Sequence, residues 1–188
     1  MLLGAPNWLA PKPGTAHALR EAAGTASPLL VLDGALVHTD RMRADRPYFS
    51  GKHRVHGMNV QVIIGPDGTI VWTLGALPGK VHGLTAACVW GILRELEKAG
   101  ILTLADEACQ GAEASVVITP CTGKDKPESQ KQANRSHARI RRPGERANAQ
   151  LKSWRILRKL RCSPSKAAHI GKAIAVLQNH RVTHTTSG

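Results

Sequence analysis

Three acidic residues stand where a chain could carry out phosphate chemistry. Asp33 ends the apolar run PLLVLDG (28–34), Asp106 ends ILTLAD (101–106), and Glu145 follows Pro143 where the sequence predicts the first turn of a helix. Strand ends and a helix start can converge at one edge of a sheet, and three carboxylates at one point cannot all stay ionised without a cation between them. Mg²⁺ suits such a site, because it takes oxygen ligands and keeps open water positions. Two such ions about 4 Å apart can activate a water or hydroxyl and stabilise the leaving oxygen in phosphodiester cleavage. Each acid also has an ordinary use. An aspartate after a strand serves a turn or a helix cap, and a glutamate in a first helical turn favours the helix dipole by about 0.3–1 kcal/mol. Only their joint placement favours the metal site.

The elements that would position them follow from period and punctuation. Residues 28–34 read as a short buried strand, and MNVQVIIGPDGTIVWTLGALPG (58–79) as a hairpin closed by Pro66-Asp67-Gly68. Leu84, Cys88, Ile92 and Leu96 recur every four residues and predict a single helix over 82–99, stopped by Gly100. Further short strands are expected at 101–106 and 115–119, the second stopped by Pro120. A new helix is expected from Pro143, with Ala147, Leu151, Trp154, Leu157 and Leu160 as its apolar stripe. A last helix runs from an N-cap at Ser163, with Pro164 in its first position, to about Asn179. Strands first, then one helix, two strands and closing helices give an α/β domain with a mixed sheet.

Composition sets the surroundings. The chain of 188 residues, 42% hydrophobic, is long enough for one domain with a real core. No apolar run approaches membrane-spanning length, and the opening MLLGAPNWLAPKPG lacks a basic start and is broken by prolines, so neither a span nor a secretory signal is expected. Cys88, Cys109, Cys121 and Cys162 form no C-x-x-C pair, which favours reduced thiols, no structural zinc and a cytoplasmic setting. The net charge of +13 is concentrated: residues 1–123 hold ten Lys/Arg against ten Asp/Glu, and residues 124–188 hold sixteen against three. Apolar residues interleaved through that basic segment argue against a merely solvated tail. A polyanion is the natural partner, because each phosphate neutralised releases condensed counterions. His53 and His56 have H-x-x-H spacing, but beside Lys52 and Arg54 they suit a DNA backbone or solvent better than zinc. With one tyrosine, one phenylalanine and no RNP-type motif, a generic RNA-binding protein is the weaker reading.

Several stretches carry a resemblance: LDGAL at the first aspartate, DRPYFSGKHRVHGMNVQVI over the basic loop and second strand, ALPGKVHG, LADEACQG at the second aspartate, and NRSHARIRRPGERANAQLKSWRILRKLRC around the glutamate. From about Leu30 to His180 the chain resembles the DDE transposases of bacterial insertion sequences, a group of DDE superfamily endonucleases with a ribonuclease-H-like fold. Arg141, Glu145 and Lys152 keep the R-x3-E-x6-K part of that family's Tyr-Arg-Glu-Lys signature, with Ala138 in the tyrosine position. Gly83 follows His82 where the family usually has aspartate, and Asp106-Glu107-Ala108-Cys109 replaces Asp-Lys-Gly-Tyr.

The resemblance implies a ribonuclease-H-like mixed sheet flanked by helices, with a basic helical C-terminal segment. It divides the chain into an irregular N-terminal piece (1–27), a catalytic domain (28–162) and a C-terminal helix and tail (163–188). Asp33, Asp106 and Glu145 are the implied catalytic residues and Mg²⁺ ligands, with Mn²⁺ as a substitute. Lys52, His53, Arg54, Arg141, Lys152, Arg155, Arg158 and Lys159 are the implied DNA contacts. DNA is the implied partner, with a homodimer on it in the nucleoid. The activity expected is Mg²⁺-dependent strand cleavage and strand transfer at insertion-sequence ends. Only about 28 residues precede the first strand, where the family usually has a helical DNA-binding region, so an N-terminal truncation that impairs end recognition is expected. The alternative is a catalytically inactive, DNA-binding remnant.

Overall fold

A computed structural model of the chain describes residues 17, 19–20, 29–40, 46–81, 83–89, 91–111 and 115–185. Most of the N-terminal piece, together with His82 of the expected family motif, lies outside the described residues. The elements in chain order are β1 (Leu29–His38), a 3-10 turn (Arg46–Tyr48), β2 (Phe49–Ser50), β3 (Val55–Ile64), β4 (Ile70–Pro78), α1 (Gly83–Val89) and α2 (Ile92–Ala99). They continue with β5 (Leu102–Leu104), a 3-10 turn (Glu107–Cys109), β6 (Val117–Ile118), α3 (Glu128–Ser153), a 3-10 turn (Arg155–Leu157) and α4 (Pro164–Thr185).

β1 lies at the centre of a six-stranded sheet of order β2-β3-β1-β5-β6, with β4 also paired to β3. It runs antiparallel to β3, with Asp33 opposite Val62, and parallel to β5, with Val31 opposite Leu104. Helices flank this mixed sheet, and the architecture is of the ribonuclease-H-like kind expected from the resemblance. Alternation along β1 and β3 divides the core in two. Leu30, Leu32 and Ile63 pack with α2, whereas Val31, Val37, Val62 and Ile64 pack with α3 and α4. The hairpin forms as expected: Gly68 takes a positive φ of 92°, and Asp67 Oδ1 accepts from both the Thr69 amide and the Thr69 hydroxyl.

Two expectations from the sequence are corrected. The helix expected over 82–99 is two helices, because Gly91 is left-handed (φ 63°) and ends the first turn sequence before α2 begins. The four-residue pattern therefore changes phase: Ile92 and Leu96 are buried but Cys88 is exposed. Pro143 does not start a helix; it lies inside α3, which runs for 26 residues. A proline there removes one backbone hydrogen bond and clashes with the preceding turn, a cost of about 3 kcal/mol. Contacts on both sides hold the axis through it. Before Pro143, the Asn134 side chain both donates to and accepts from the Cys121 backbone, and the His137 ring bonds the Ile118 carbonyl. After it, Gly144 seats against Val31 and Ala147 and Leu151 enter the core. The expected apolar stripe is buried or half-buried throughout, but Trp154, Leu157 and Leu160 lie beyond the end of α3.

The last helix begins as the sequence implies. Ser163 Oγ accepts the Lys166 amide and Pro164 occupies the first helical position. α4 packs back on the sheet, where the Asn179 amide pairs with both the N–H and the C=O of Ile70. Leu19, near the N-terminus, is fully buried in the core on the α2 side, and Arg20 donates to the carbonyls of Lys98 and Ala99 at the C-terminus of α2.

Candidate active site

The two aspartates arrive from adjacent parallel strands. Asp33 is in the body of β1 and Asp106 is just past the end of β5, so the pairing that puts Val31 beside Leu104 brings both to one side of the sheet. They line a common cavity of about 300 Å³ with Gln61, Asn59, Cys109, Lys52, His53 and Lys80. The loop after β2 brings Lys52 and His53 to the rim, where Arg54 closes the turn with a positive φ of 55° and its amide donates to the Ser50 carbonyl. Gln61 is almost fully buried on β3 and donates to Asn59 Oδ1, whose own amide donates to the Val81 carbonyl. Polar side chains in an otherwise apolar strand mark the cavity wall.

α3 supplies the other side of Asp33. Gly144 allows the helix to lie against β1: a methyl group there would fall 2.8 Å from Val31 Cγ1. At that separation Arg141 and Asn148, seven residues apart and on one helix face, both reach the carboxylate. Arg141 Nη2 donates to Asp33 Oδ1 at 3.4 Å, and Asn148 Nδ2 donates to Asp33 Oδ2 at 2.9 Å and to the Gly34 carbonyl at 3.3 Å. Asp33 and Arg141 are both largely buried, with 14% and 12% of their side chains exposed. The Gly34 amide completes the set, donating to Asp33 Oδ1 at 3.0 Å.

Glu145 is on the exposed flank of the same helix, between Arg141 and Asn148 in sequence, and is not part of the cavity wall. Among the described residues, no group of three His, Cys, Asp or Glu side chains is arranged to hold a metal ion. The structure thus brings Asp33 and Asp106 together and leaves Glu145 one helical turn from the residues that grip Asp33. Of the expected DNA contacts, Lys52 and His53 are exposed at the cavity, Arg54 is exposed beside them, and Lys152, Arg155 and Arg158 are exposed along and beyond α3. Arg141 is turned inward onto Asp33. Lys159 and Arg161 both pair with Asp40, at 3.0 and 2.7 Å, and the bond from Lys159 is the main reason the Asp40 carboxyl titrates below its ordinary value.

Cys109 lies in the cavity wall and is 4% exposed. Burial, reinforced by the charge of Asp106, pushes its thiol up to about 12. Asn148, Gln61 and Lys80 were not found by sequence reasoning. Asn148 left the clearest trace, standing seven residues after Arg141 and three after Glu145, the spacing that returns a helical side chain to the same face.

The donor chemistry fits a divalent cation in part. Two hard carboxylates share a cavity with cationic rims, which suits an oxygen-ligated metal and an anionic substrate. The charge on Asp33 is already matched by Arg141. No curated protein and no solved structure matches the chain. The family described as DDE superfamily endonuclease matches residues 32–179, a span that starts beside the first aspartate and takes in the cavity, the glutamate helix and most of α4; the chain belongs to that family.

Proposed function

We propose that the chain is a transposase-type endonuclease that cleaves a DNA strand and transfers the freed end, at the ends of an insertion sequence, with Mg²⁺ as its ion. Nucleases of this superfamily generally use divalent metal ions, and the family's substrate is DNA. The observation that supports the reading most is the shared cavity: Asp33, on β1, and Asp106, just past β5, both line it together with Lys52, His53 and Lys80. Asp33 and Asp106 would hold the ion, with Glu145 as a third ligand. The ion's chemistry there would be activation of the attacking oxygen and stabilisation of the leaving one. Lys52 and Lys80 attract the phosphate backbone to the cavity mouth. Lys152, on the outside of α3, and Arg155 and Arg158, beyond its end, extend the cationic track. Cys109, held as a neutral thiol, adds no charge to compete with the aspartates.

The alternative, a DNA-binding remnant without activity, is favoured by one observation: Asp33 is gripped by Arg141 and Asn148, and Glu145 is not in the cavity wall. One assay separates the two. Incubated with supercoiled plasmid and Mg²⁺ or Mn²⁺, the protein is expected to produce nicked circles, and Glu145→Gln, nearly isosteric but uncharged, to produce none. Absence of nicking with either metal supports the remnant. Nicking by Glu145→Gln at the wild-type rate removes Glu145 from the site.

A further inference from the structure

We propose that Asn148 is a positioning residue, fixing the Asp33 carboxylate relative to the helix that carries Glu145. The proposal rests on the reading of Asp33 as a cation ligand. Asn148 is 5% exposed, and its amide nitrogen bridges two acceptors on β1, Asp33 Oδ2 at 2.9 Å and the Gly34 carbonyl at 3.3 Å. Its own Oδ1 is buried without a hydrogen-bond partner. Turning the amide over would set that oxygen against two acceptors, so Asp33 and Gly34 dictate its orientation. The molecule thus keeps a stranded acceptor, of a kind that is rare in native interiors and calls for an explanation, in order to keep a donor on Asp33.

Arg141 cannot do the same work. Its guanidinium binds Asp33 with a full positive charge, which opposes any cation approaching the same carboxylate. The neutral amide of Asn148 orients the carboxylate without that opposition, so it can stay in place when a dication arrives. The close seat of Gly144 on Val31 sets the helix at the distance a short asparagine can span, and the three-residue offset from Glu145 ties the glutamate's position on α3 to that of Asp33 on β1. A partner that orients a ligand in this way typically changes metal affinity by about 10–100-fold when removed.

The test uses the full chain without DNA, titrated calorimetrically with Mn²⁺, beside its thermal melting curve. Asn148→Ala is expected to weaken Mn²⁺ binding about 10–100-fold and to lower the melting temperature, since Asp33 Oδ2 and the Gly34 carbonyl lose their donor. With plasmid substrate the loss should fall on kcat, with KM for DNA unchanged. Asn148→Ser, whose hydroxyl is too short to reach Asp33 Oδ2, should show the same loss and serves if the alanine variant does not fold. Wild-type Mn²⁺ affinity in either folded variant would overturn the proposal alone. Absence of Mn²⁺ binding by the wild-type chain would overturn the cation reading of Asp33, and this proposal with it.

Discussion

Cys109 shows most directly what the cavity does to a single group. Its thiol is raised from 9.0 to about 12, first by burial and then by the charge of Asp106. In the unfolded chain the same thiol ionises near its ordinary value, so its contribution to stability is intact below pH 9 and is lost as pH rises from there toward 12. Denaturant midpoints measured from pH 8 to 11 should therefore fall above pH 9, and Cys109→Ala should flatten that fall; a decline of the same size in the variant would place its origin elsewhere. The same shift makes Cys109 a poor nucleophile. Alkylation at pH 8 should leave it unmodified in the folded protein while the exposed Cys88 and Cys121 react. Asp40 behaves in the opposite sense. Held below its ordinary value chiefly by Lys159, it contributes stability above pH 3.8 that is lost as acid protonates it.

Among the elements, α3 decides whether there is a site. It crosses the sheet as one unbroken helix despite Pro143, and it reaches Asp33 because Gly144 has no side chain. Gly144→Ala places a methyl group 2.8 Å from Val31 Cγ1, a β-branched neighbour with little freedom to move. The expected result is a destabilisation of about 1–3 kcal/mol, seen as a lower urea midpoint, together with weaker divalent-cation binding as Asn148 is lifted from Asp33. An unchanged urea midpoint would mean that the helix can shift freely at this point. The pairing of the Asn179 amide with Ile70 fastens α4 to the start of β4. Asn179→Ala should cost about 1–3 kcal/mol, because both Ile70 backbone groups lose their partner at once; a loss well below that range would show that water replaces the amide.

For the molecule as a whole, the distribution of charge governs encounter with DNA. Sixteen of the 26 basic residues lie in the last 65 positions, but some are internally matched: Arg141 by Asp33, Lys159 and Arg161 by Asp40, and Lys131 and Arg135 by Glu128. Lys152, Arg155 and Arg158 are exposed and are expected to carry the phosphate contacts. Binding to duplexes of unrelated sequence should weaken steeply with salt, by about a thousandfold between about 50 and 200 mM if roughly six phosphates are engaged. Arg155→Ala and Arg158→Ala should each reduce the log–log slope by about one, whereas Lys159→Ala, which removes a partner of Asp40, should reduce it less. Equal slopes for all three variants would contradict this division of labour.

Much of this was legible in the sequence by itself. Period and punctuation located the start of β1, which runs on past Asp33 to His38, the hairpin with its Pro66-Asp67-Gly68 turn, and the start of α4 at Ser163, because those signals are local: alternation, a turn residue with positive φ, a hydroxyl cap. Motif spacing led to the family, and the two aspartates fell beside one another because strand order places parallel strands together. Tertiary structure decided the rest. The break at Gly91 and the continuity of α3 through Pro143 both go against local preference, since packing on the sheet outweighs what a single residue favours. Arg141 read as a DNA contact because its charge and spacing could not reveal a buried carboxylate 108 positions away, and Asn148 drew no attention because a neutral amide acquires its role only when a helix is pressed against the strand that bears Asp33.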